Sequence, residues 1–284
     1  MTVVAKDREI LVRQLSERAS LLRCHTLRMI YQCGKGHYGG ALSAAEIVAA
    51  LYFHELRIRS YQPDWPERDR FVLSKGHAAP VWYAALAECG FFPISWLETF
   101  KQMGSRLQGH PDMTKTPGVD MTSGALGEGL SAGVGIALAQ RIDDSSSRVY
   151  VLMGDGEMQE GCVWEAILAA AHNRLGNLVA IVDRNGLQVD GPTEQIVGLG
   201  SLIAKFRAFE WQAIEVDGHD IEELLTALDQ ARRVSDRPTA IVARTTKGKG
   251  VSFMEGRTEW HSNTLDADQL SQALAELGDA PCEE

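Results

Sequence analysis

The feature that most constrains the fold is an alternation of short apolar runs with helical segments, beginning near residue 149. Four runs of four or five residues each have strand character: residues 149–153, 178–182, 213–216 and 239–243. Residues 164–175 and 220–234, which lie between them, have the pattern of helices. Such alternation predicts a parallel sheet covered by helices on both faces, the α/β class. Any ligand site is then expected at the carboxyl ends of the strands.

The first part of the chain is predicted to form helices separated by a loop. Leucine and isoleucine recur at helical spacing over residues 7–32, which predicts a long amphipathic helix. Four glycines between Gly34 and Gly40 predict a loop after it. Ser43, followed three residues later by Glu46, has the pattern of a capping box and predicts a new helix start. Residues 265–284 have the pattern of a short amphipathic helix with an acidic end.

Composition and charge exclude several classes of protein. The chain has 284 residues, enough for one large α/β domain or two small ones, and its 45% hydrophobic content is ordinary for a globular protein. Its 28 basic and 38 acidic side chains give a net charge of −10, which disfavours nucleic-acid binding. No apolar stretch approaches the roughly 18 residues of a membrane-spanning helix. The charged amino terminus does not resemble a signal peptide, so no membrane association is expected.

The cysteines point to a reducing compartment. They are odd in number, scattered, and form no Cys-x-x-Cys pair, so neither a disulfide framework nor a zinc site is expected. They are Cys24, Cys33, Cys89, Cys162 and Cys282. A cytoplasmic location is therefore predicted.

Hard oxygen ligands follow the first two of these predicted strands. Gly154-Asp155-Gly156 ends one strand, and its glycines permit a sharp turn and the close approach of a large ligand. Asn185 ends the next strand thirty residues after Asp155. Its amide oxygen, the Asp155 carboxylate and a backbone carbonyl that Gly186-Leu187 would allow suit Mg²⁺ or Ca²⁺. The helix that follows, from about Trp164, would direct its N-terminal N–H groups at an anion, so a metal-bridged phosphate site is predicted.

These two strand ends resemble the cofactor motif of thiamine diphosphate enzymes, and the surrounding segments resemble the transketolases. The segments occur in that family's order between about residues 20 and 262. They are Gly36-His37, Arg68 to His77, Gly109-His110-Pro111, Pro117-Gly118-Val119, Gly124 to Gly129, Gly154 to Glu157, Asp183 to Gly186 and Val189-Asp190-Gly191. The resemblance implies the thiamine diphosphate-binding α/β fold, with residues 1–284 forming a single diphosphate-binding domain.

The resemblance also implies a role for individual residues. Asp155, Asn185 and the backbone carbonyl of Leu187 would hold the divalent ion, which in turn holds the cofactor's diphosphate. Cofactor contacts are implied for His77, Gly124, Ala125, Leu126, Gly154, Asp155, Gly156, Glu157, Asn185 and His261. A catalytic histidine cluster is implied for His37, His77, His110 and His261.

Histidines suit the transfer of a two-carbon ketol unit, the reaction of this family. An alkoxide must be stabilised, and a hydroxyl proton must leave as the carbon–carbon bond breaks. Imidazoles can do both near neutral pH. Three separate Gly-His pairs, at residues 36–37, 76–77 and 109–110, favour a shared function over chance. The other histidines are expected to be structural or exposed: His25, His54, His172 and His219.

The resemblance further implies a partner chain. A complete transketolase is more than twice as long and continues into a domain that binds the cofactor's aminopyrimidine and supplies an activating glutamate. The sequence offers no candidate for either. We therefore expect the N-terminal subunit of a split transketolase, a transferase that works with a C-terminal subunit carrying the pyrimidine-binding domain, as a heterotetramer of two plus two chains. The expected donors are ketose phosphates or sulfonated ketoses, with an aldose as acceptor.

Two other functions remain open at this point. The α subunit of a 2-oxo acid dehydrogenase also has a Gly-Asp-Gly to Asn spacing, but the histidine segments argue against it. A non-catalytic module that binds thiamine diphosphate would not need the histidines that contact sugar.

Overall fold

A computed structural model describes residues 3–278 of the chain, with side chains from residue 7 onwards. Within that range, five parallel strands form a sheet in the order β1-β2-β3-β5-β4. The strands are β1 (Arg70–Leu73), β2 (Val149–Gly154), β3 (Leu178–Arg184), β4 (Gln212–Asp217) and β5 (Thr239–Arg244). The four strands predicted from the sequence are therefore confirmed, each within two residues at either end.

Helices surround the sheet. The α-helices of the described range are α1 (Val3–Gln32), α2 (Gly39–Leu42), α3 (Ala45–Ala50), α4 (Ala79–Glu88), α5 (Glu128–Ile142), α6 (Gly161–His172), α7 (Thr193–Ile196), α8 (Leu202–Ala208), α9 (Ile221–Arg233) and α10 (Ala267–Glu276). Short 3₁₀ turns span Gly76–Ala78, Ile94–Thr99, Gly156–Gln159 and Thr258–His261, and one π-turn spans Leu51–Glu55. None of the described helices is both long and apolar enough to cross a bilayer.

Each face of the sheet packs against its own helical layer. Successive strand residues point to opposite faces, so Tyr150 and Ile181 enter one core while Val151 and Ala180 enter the other. The first core is completed by α1, α3, α4 and α9, and the second by α5, α6 and α8. Because both faces are buried, the strands are continuous apolar runs, which explains why the sequence pattern identified them.

Ser43 does not N-cap a helix, contrary to the capping-box prediction. Helix α3 begins two residues later, Ala44 occupies the N-cap position, and no side chain caps it. The Ser43 hydroxyl instead donates to Asp183 Oδ2 at 2.5 Å. Glu46 turns towards Arg23, with Nη2 to Oε2 at 2.6 Å. The Ser43 and Glu46 side chains therefore make buried tertiary contacts, which local sequence spacing does not reveal.

The segment after Asp155 also differs from the prediction. A 3₁₀ turn follows Asp155 directly, and helix α6 begins at Gly161, three residues before the predicted start at Trp164. The predicted helix N-terminus is therefore not adjacent to Gly154-Asp155-Gly156. Helix α6 ends at His172, three residues earlier than predicted, because Arg174 adopts a left-handed conformation with φ 51°.

The helices predicted near the two ends of the chain are partly confirmed. Helix α1 covers the predicted 7–32, and α10 confirms an amphipathic helix within 265–278; the predicted acidic end, residues 279–284, lies outside the described residues. The four cysteines in the described range form no disulfide bond with one another, whereas Cys282 lies outside that range.

Candidate active site

The carboxyl ends of the strands surround a cavity of about 400 Å³. Gly154 pairs with Asp183 across β2 and β3, which places Asp155 beside the segment that contains Asn185 and Leu187. Every predicted site residue lines this cavity except Ala125, which is exposed between two residues that do. Positions spread over more than 220 residues of sequence are thus brought to one edge of the sheet.

Asp155 sits almost fully buried at the cavity floor. Its Oδ1 accepts from the Gly156 N–H at 2.8 Å, and its Oδ2 accepts from the Gly186 N–H at 2.8 Å and the Thr193 hydroxyl at 3.2 Å. Burial, followed by the negative charge of Asp183, raises the pKa of Asp155. A carboxylate has about four acceptor positions, so these three bonds leave one for a cation.

The oxygens of Asn185 and Leu187 are also suited to bind a cation. Asn185 Oδ1 accepts one N–H, from Leu187 at 3.2 Å, and keeps a second lone pair. The Leu187 carbonyl accepts from Lys247 Nζ at 2.9 Å, so a positive group already lies at this oxygen. One carboxylate, one amide oxygen and one carbonyl are hard ligands of the kind that Mg²⁺ takes, with water and phosphate completing its shell. The donor set therefore fits the predicted ion.

Asp183 is the centre of a buried cluster. It accepts from Lys75 Nζ, the Ser43 hydroxyl and the Thr245 hydroxyl. Burial alone would raise the pKa of Asp183, but Lys75 and these donors outweigh it and lower the pKa. Lys75 also donates to the Gly40 carbonyl at 2.7 Å. One ion pair and its hydrogen bonds thus join the ends of β1, β3 and β5 to helix α2, which follows His37.

Glu157 lines the cavity with its carboxylate engaged by the protein. It accepts from the Ser74 hydroxyl, from the Gly127 N–H at 2.8 Å and from the Gly154 N–H at 3.0 Å. The side chain therefore ties the Gly124–Leu126 loop to the end of β2. This geometry suits the positioning of the loop, and a direct cofactor contact by Glu157 stays a prediction.

The four predicted histidines form a cluster at one side of the cavity. The ring of His37 lies 5.2 Å from His77, 5.3 Å from His261 and 6.5 Å from His110, centroid to centroid. The rings of His77 and His261 are 5.1 Å apart. A backbone bridge between Gly36 and Asn263 holds the segments of His37 and His261 together.

The pKa values of all four imidazoles are lowered. Burial is the main cause in each case, and neighbouring positive groups add to it. Burial and the charges of His110 and Lys101 lower the pKa of His37 to about 4. Burial and the charge of Lys247 lower the pKa of His261 to about 4. The cluster is therefore neutral near pH 7 and can both donate and accept protons.

Lys247 is the site residue that the sequence reasoning missed. It is buried, and burial is the main cause that lowers its pKa to about 8, against the opposing charge of Asp155. Its ammonium reaches His261 Nδ1 at 2.9 Å. The signal was available, because Lys247 follows the end of β5 as Asp155 follows β2, and strand ends carry the ligands in such sheets.

The comparisons with known proteins agree with this geometry. The model of the transketolase thiamine diphosphate-binding domain matches residues 15–284. The chain belongs to the transketolase family. Transketolase structures from Leishmania mexicana and Pichia stipitis superpose with TM-scores of 0.90 and 0.89 at 32% and 34% identity, each covering 95% of this chain. The predicted thiamine diphosphate-binding α/β fold is confirmed.

Transketolase relatives fall into two size groups. The chain is 46% identical over 263 residues to the 6-deoxy-6-sulfo-D-fructose transketolase subunit SqwG of Clostridium sp. strain MSTE9, covering 93% of this chain and 96% of that subunit. It is 39% identical to one subunit of the apulose-4-phosphate transketolase of Phocaeicola vulgatus, covering 94% and 95%. Human transketolase is 42% identical over 94% of this chain, but the match covers 42% of the human protein.

This size pattern confirms the predicted N-terminal subunit of a split transketolase, and with it a transferase. The chain also spans less than half of each single-chain transketolase structure that it matches. The α subunit of a 2-oxo acid dehydrogenase is not favoured, because the family match and the named relatives are transketolases.

Proposed function

We propose that the chain binds thiamine diphosphate and Mg²⁺ in this cavity and transfers a two-carbon ketol unit together with a partner subunit. One observation carries the proposal: four histidines from four separate segments meet beside the hard-oxygen set of Asp155, Asn185 and Leu187. Residues 1–284 act as one diphosphate-binding domain in this arrangement.

The oxygens of Asp155, Asn185 and Leu187 would hold the metal, and the metal would hold the cofactor's diphosphate. The Lys247 ammonium and the N–H groups of the turn after Asp155 would then lie close to the diphosphate. Their positive charge and partial positive charges favour an anion at this position. Gly124, Ala125 and Leu126 would pack on the cofactor, with Glu157 holding their loop. When bound, thiamine diphosphate supplies a carbon nucleophile and an electron sink for cleavage next to a ketone.

The histidines would manage the substrate's protons. His37 and His110 would contact the hydroxyls of the donor ketose, and His77 and His261 would lie between sugar and cofactor. Because all four are neutral near pH 7, the set can both take a hydroxyl proton and donate to a developing alkoxide oxygen. A module that only bound the cofactor would not need this set.

The donor is a ketose with an acidic end group, either a phosphate or a sulfonate. The relatives named for a sulfonated fructose and for apulose 4-phosphate support this class, with an aldose as acceptor. Measuring ketol transfer from a sulfonated ketose and from a ketose phosphate, side by side, distinguishes the two. His37→Ala should abolish transfer with either donor while leaving cofactor binding nearly intact. Unchanged transfer in that variant would contradict the proposal.

The partner is a C-terminal transketolase subunit with the pyrimidine-binding domain, in a cytoplasmic complex of two plus two chains. The relatives of similar length are named as subunits, which supports a partner. The test is the native mass of the tagged chain isolated from its host, with the bound chains identified. A second polypeptide in equal number supports the proposal, whereas full turnover by this chain alone contradicts it.

A further inference from the structure

His219 lies outside the cavity but is built into a buried network that leads to it. It follows β4, and its backbone N–H donates to Asp217 Oδ1 at 2.9 Å. Its Nδ1 lies 3.0 Å from Glu46 Oε2, which also accepts from Arg23. Arg23 and Glu46 are both buried. The imidazole is therefore anchored to α1 and α3 rather than to solvent.

The hydrogen bonds of His219 define its tautomer. The backbone N–H of Thr246 donates to His219 Nε2 at 2.8 Å, so Nε2 carries no proton. The proton is therefore on Nδ1, which donates to Glu46. Burial would raise the pKa of Glu46, but Arg23 and His219 outweigh it and lower the pKa to about 2, so this acceptor stays a carboxylate.

Thr246 immediately precedes Lys247, whose side chain has little freedom. A Cβ on Gly39 would lie 2.7 Å from Lys247 Cγ, so the lysine stem is packed against that glycine. The ammonium end donates to the Leu187 carbonyl and to His261 Nδ1, both at 2.9 Å. The backbone position at Thr246 therefore decides where the ammonium lies in the cavity.

The contact with Lys247 also determines which ring nitrogen of His261 carries the proton. An ammonium group has three protons and no lone pair, so it can only donate to His261 Nδ1. The remaining proton of the neutral ring must then be on Nε2. His261 accordingly has an N–H donor left over for a ligand in the cavity.

We propose that His219 is a positioning residue, which fixes Lys247 through the Thr246 N–H and thereby holds His261 as the Nε2–H tautomer. The use of that donor for an anionic cofactor or a ketose rests on the proposed function. The positioning itself is a property of the chain alone and can be measured without any ligand.

Two substitutions separate the two bonds of His219. His219→Asn places an amide N–H near the position of Nδ1, so it keeps the donor to Glu46 and loses the acceptor for Thr246. His219→Gln is longer and places an amide oxygen near the position of Nε2, so it keeps the acceptor for Thr246. His25→Asn is the matched control, because His25 Nε2 contacts Glu88 at 2.9 Å away from the cavity.

The measurement is the ¹⁵N chemical shift of the His261 ring nitrogens in the full chain labelled at histidine, assigned by difference from His261→Gln. In the wild-type chain, His219→Gln and His25→Asn, we expect two well-separated shifts with the proton on Nε2. In His219→Asn, we expect the two shifts to move towards each other as the tautomers interconvert. Lys247→Met should give the same change by removing the donor directly.

Separated His261 shifts in folded His219→Asn would overturn the inference, and so would separated shifts in Lys247→Met. If His219→Asn does not fold, His219→Ala replaces it, because it also removes the acceptor for the Thr246 N–H. Unchanged His261 shifts in His219→Ala would overturn the inference as well. A wild-type complex without affinity for thiamine diphosphate would contradict the proposed function but leave the tautomer result standing.

Discussion

Asp155 holds the turn after β2 with its carboxylate, and in the proposed function the same carboxylate would present an oxygen to the metal. Asp155→Asn keeps the shape but loses the charge, so stabilisation by thiamine diphosphate with Mg²⁺ should disappear. For the wild-type complex, that stabilisation is about 2.7 kcal/mol at a ligand concentration 100 times Kd. Thermal unfolding with and without the ligands measures it.

Asp190→Asn is the matched control for this substitution. Asp190 lines the same cavity but is exposed and contributes no predicted metal ligand. The shift in melting temperature should therefore persist in Asp190→Asn. An equal shift in melting temperature in Asp155→Asn would show that Asp155 does not hold the metal.

The lowered pKa of His37 predicts a pH dependence of stability. In the unfolded chain a histidine titrates near 6.5, whereas His37 in the fold titrates near 4. Between these values the unfolded chain binds more protons, so stability falls as pH decreases from about 7 to 4. His37→Asn should reduce this fall, as measured by urea unfolding at several pH values. A pH dependence identical to wild type would show that His37 is not held neutral by the fold.

Single residues also show where sequence reasoning succeeds. The four clustered histidines were predicted from short Gly-His segments and a family resemblance, and the structure places them together. Lys247 was missed because Thr245-Thr246-Lys247-Gly248 was not recognised as a strand end with a function. Its role depends on packing against Gly39, which is distant in sequence.

At the scale of elements, the Lys75–Asp183 ion pair and its hydrogen bonds join three strand ends and helix α2. Lys75→Met would leave the fully buried Asp183 without a cation, which typically costs about 3–5 kcal/mol of unfolding free energy. The double variant Lys75→Met/Asp183→Asn removes that charge and should recover part of the loss. Urea unfolding of both variants measures the difference.

The matched control for Lys75→Met is the half-exposed pair of Lys249 and Glu255, with Nζ to Oε1 at 3.2 Å. Lys249→Met should change the unfolding free energy by less than about 1 kcal/mol, because solvent screens such pairs. Similar losses in Lys75→Met and Lys249→Met would contradict a special role for the buried pair.

The elements divide into those that local pattern predicts and those that tertiary contacts decide. The four apolar strands were predicted because both of their faces are buried. Strand β1 was missed because Arg70–Leu73 is short and follows charged residues, and its pairing with β2 creates it. The Ser43 capping box failed because Asp183, 140 residues away, competes for the same hydroxyl.

At the scale of the whole molecule, apolar side chains surround the mouth of the cavity. Leu126 and Val189 line it and are 38% and 61% exposed. Ile196 and Val197 are also exposed, and the Val197 carbonyl accepts from Gln159, which lines the cavity as well. Apolar surface beside a ligand site is typical of a protein–protein interface. This arrangement supports a partner that covers the cofactor.

Val189→Asp should therefore weaken the complex with the partner chain. An unpaired carboxylate buried in the interface is unfavourable, while the free chain keeps the new charge in water and should fold normally. Ile142→Asp is the matched control, because Ile142 is 80% exposed at the end of α5 that leads into the amino end of β2. Native mass spectrometry of the tagged variants from the host should show loss of the second chain in Val189→Asp and its retention in Ile142→Asp. Retention of the second chain in both variants would show that the partner binds away from the cavity mouth. It would also contradict the proposal that the partner completes the active site there.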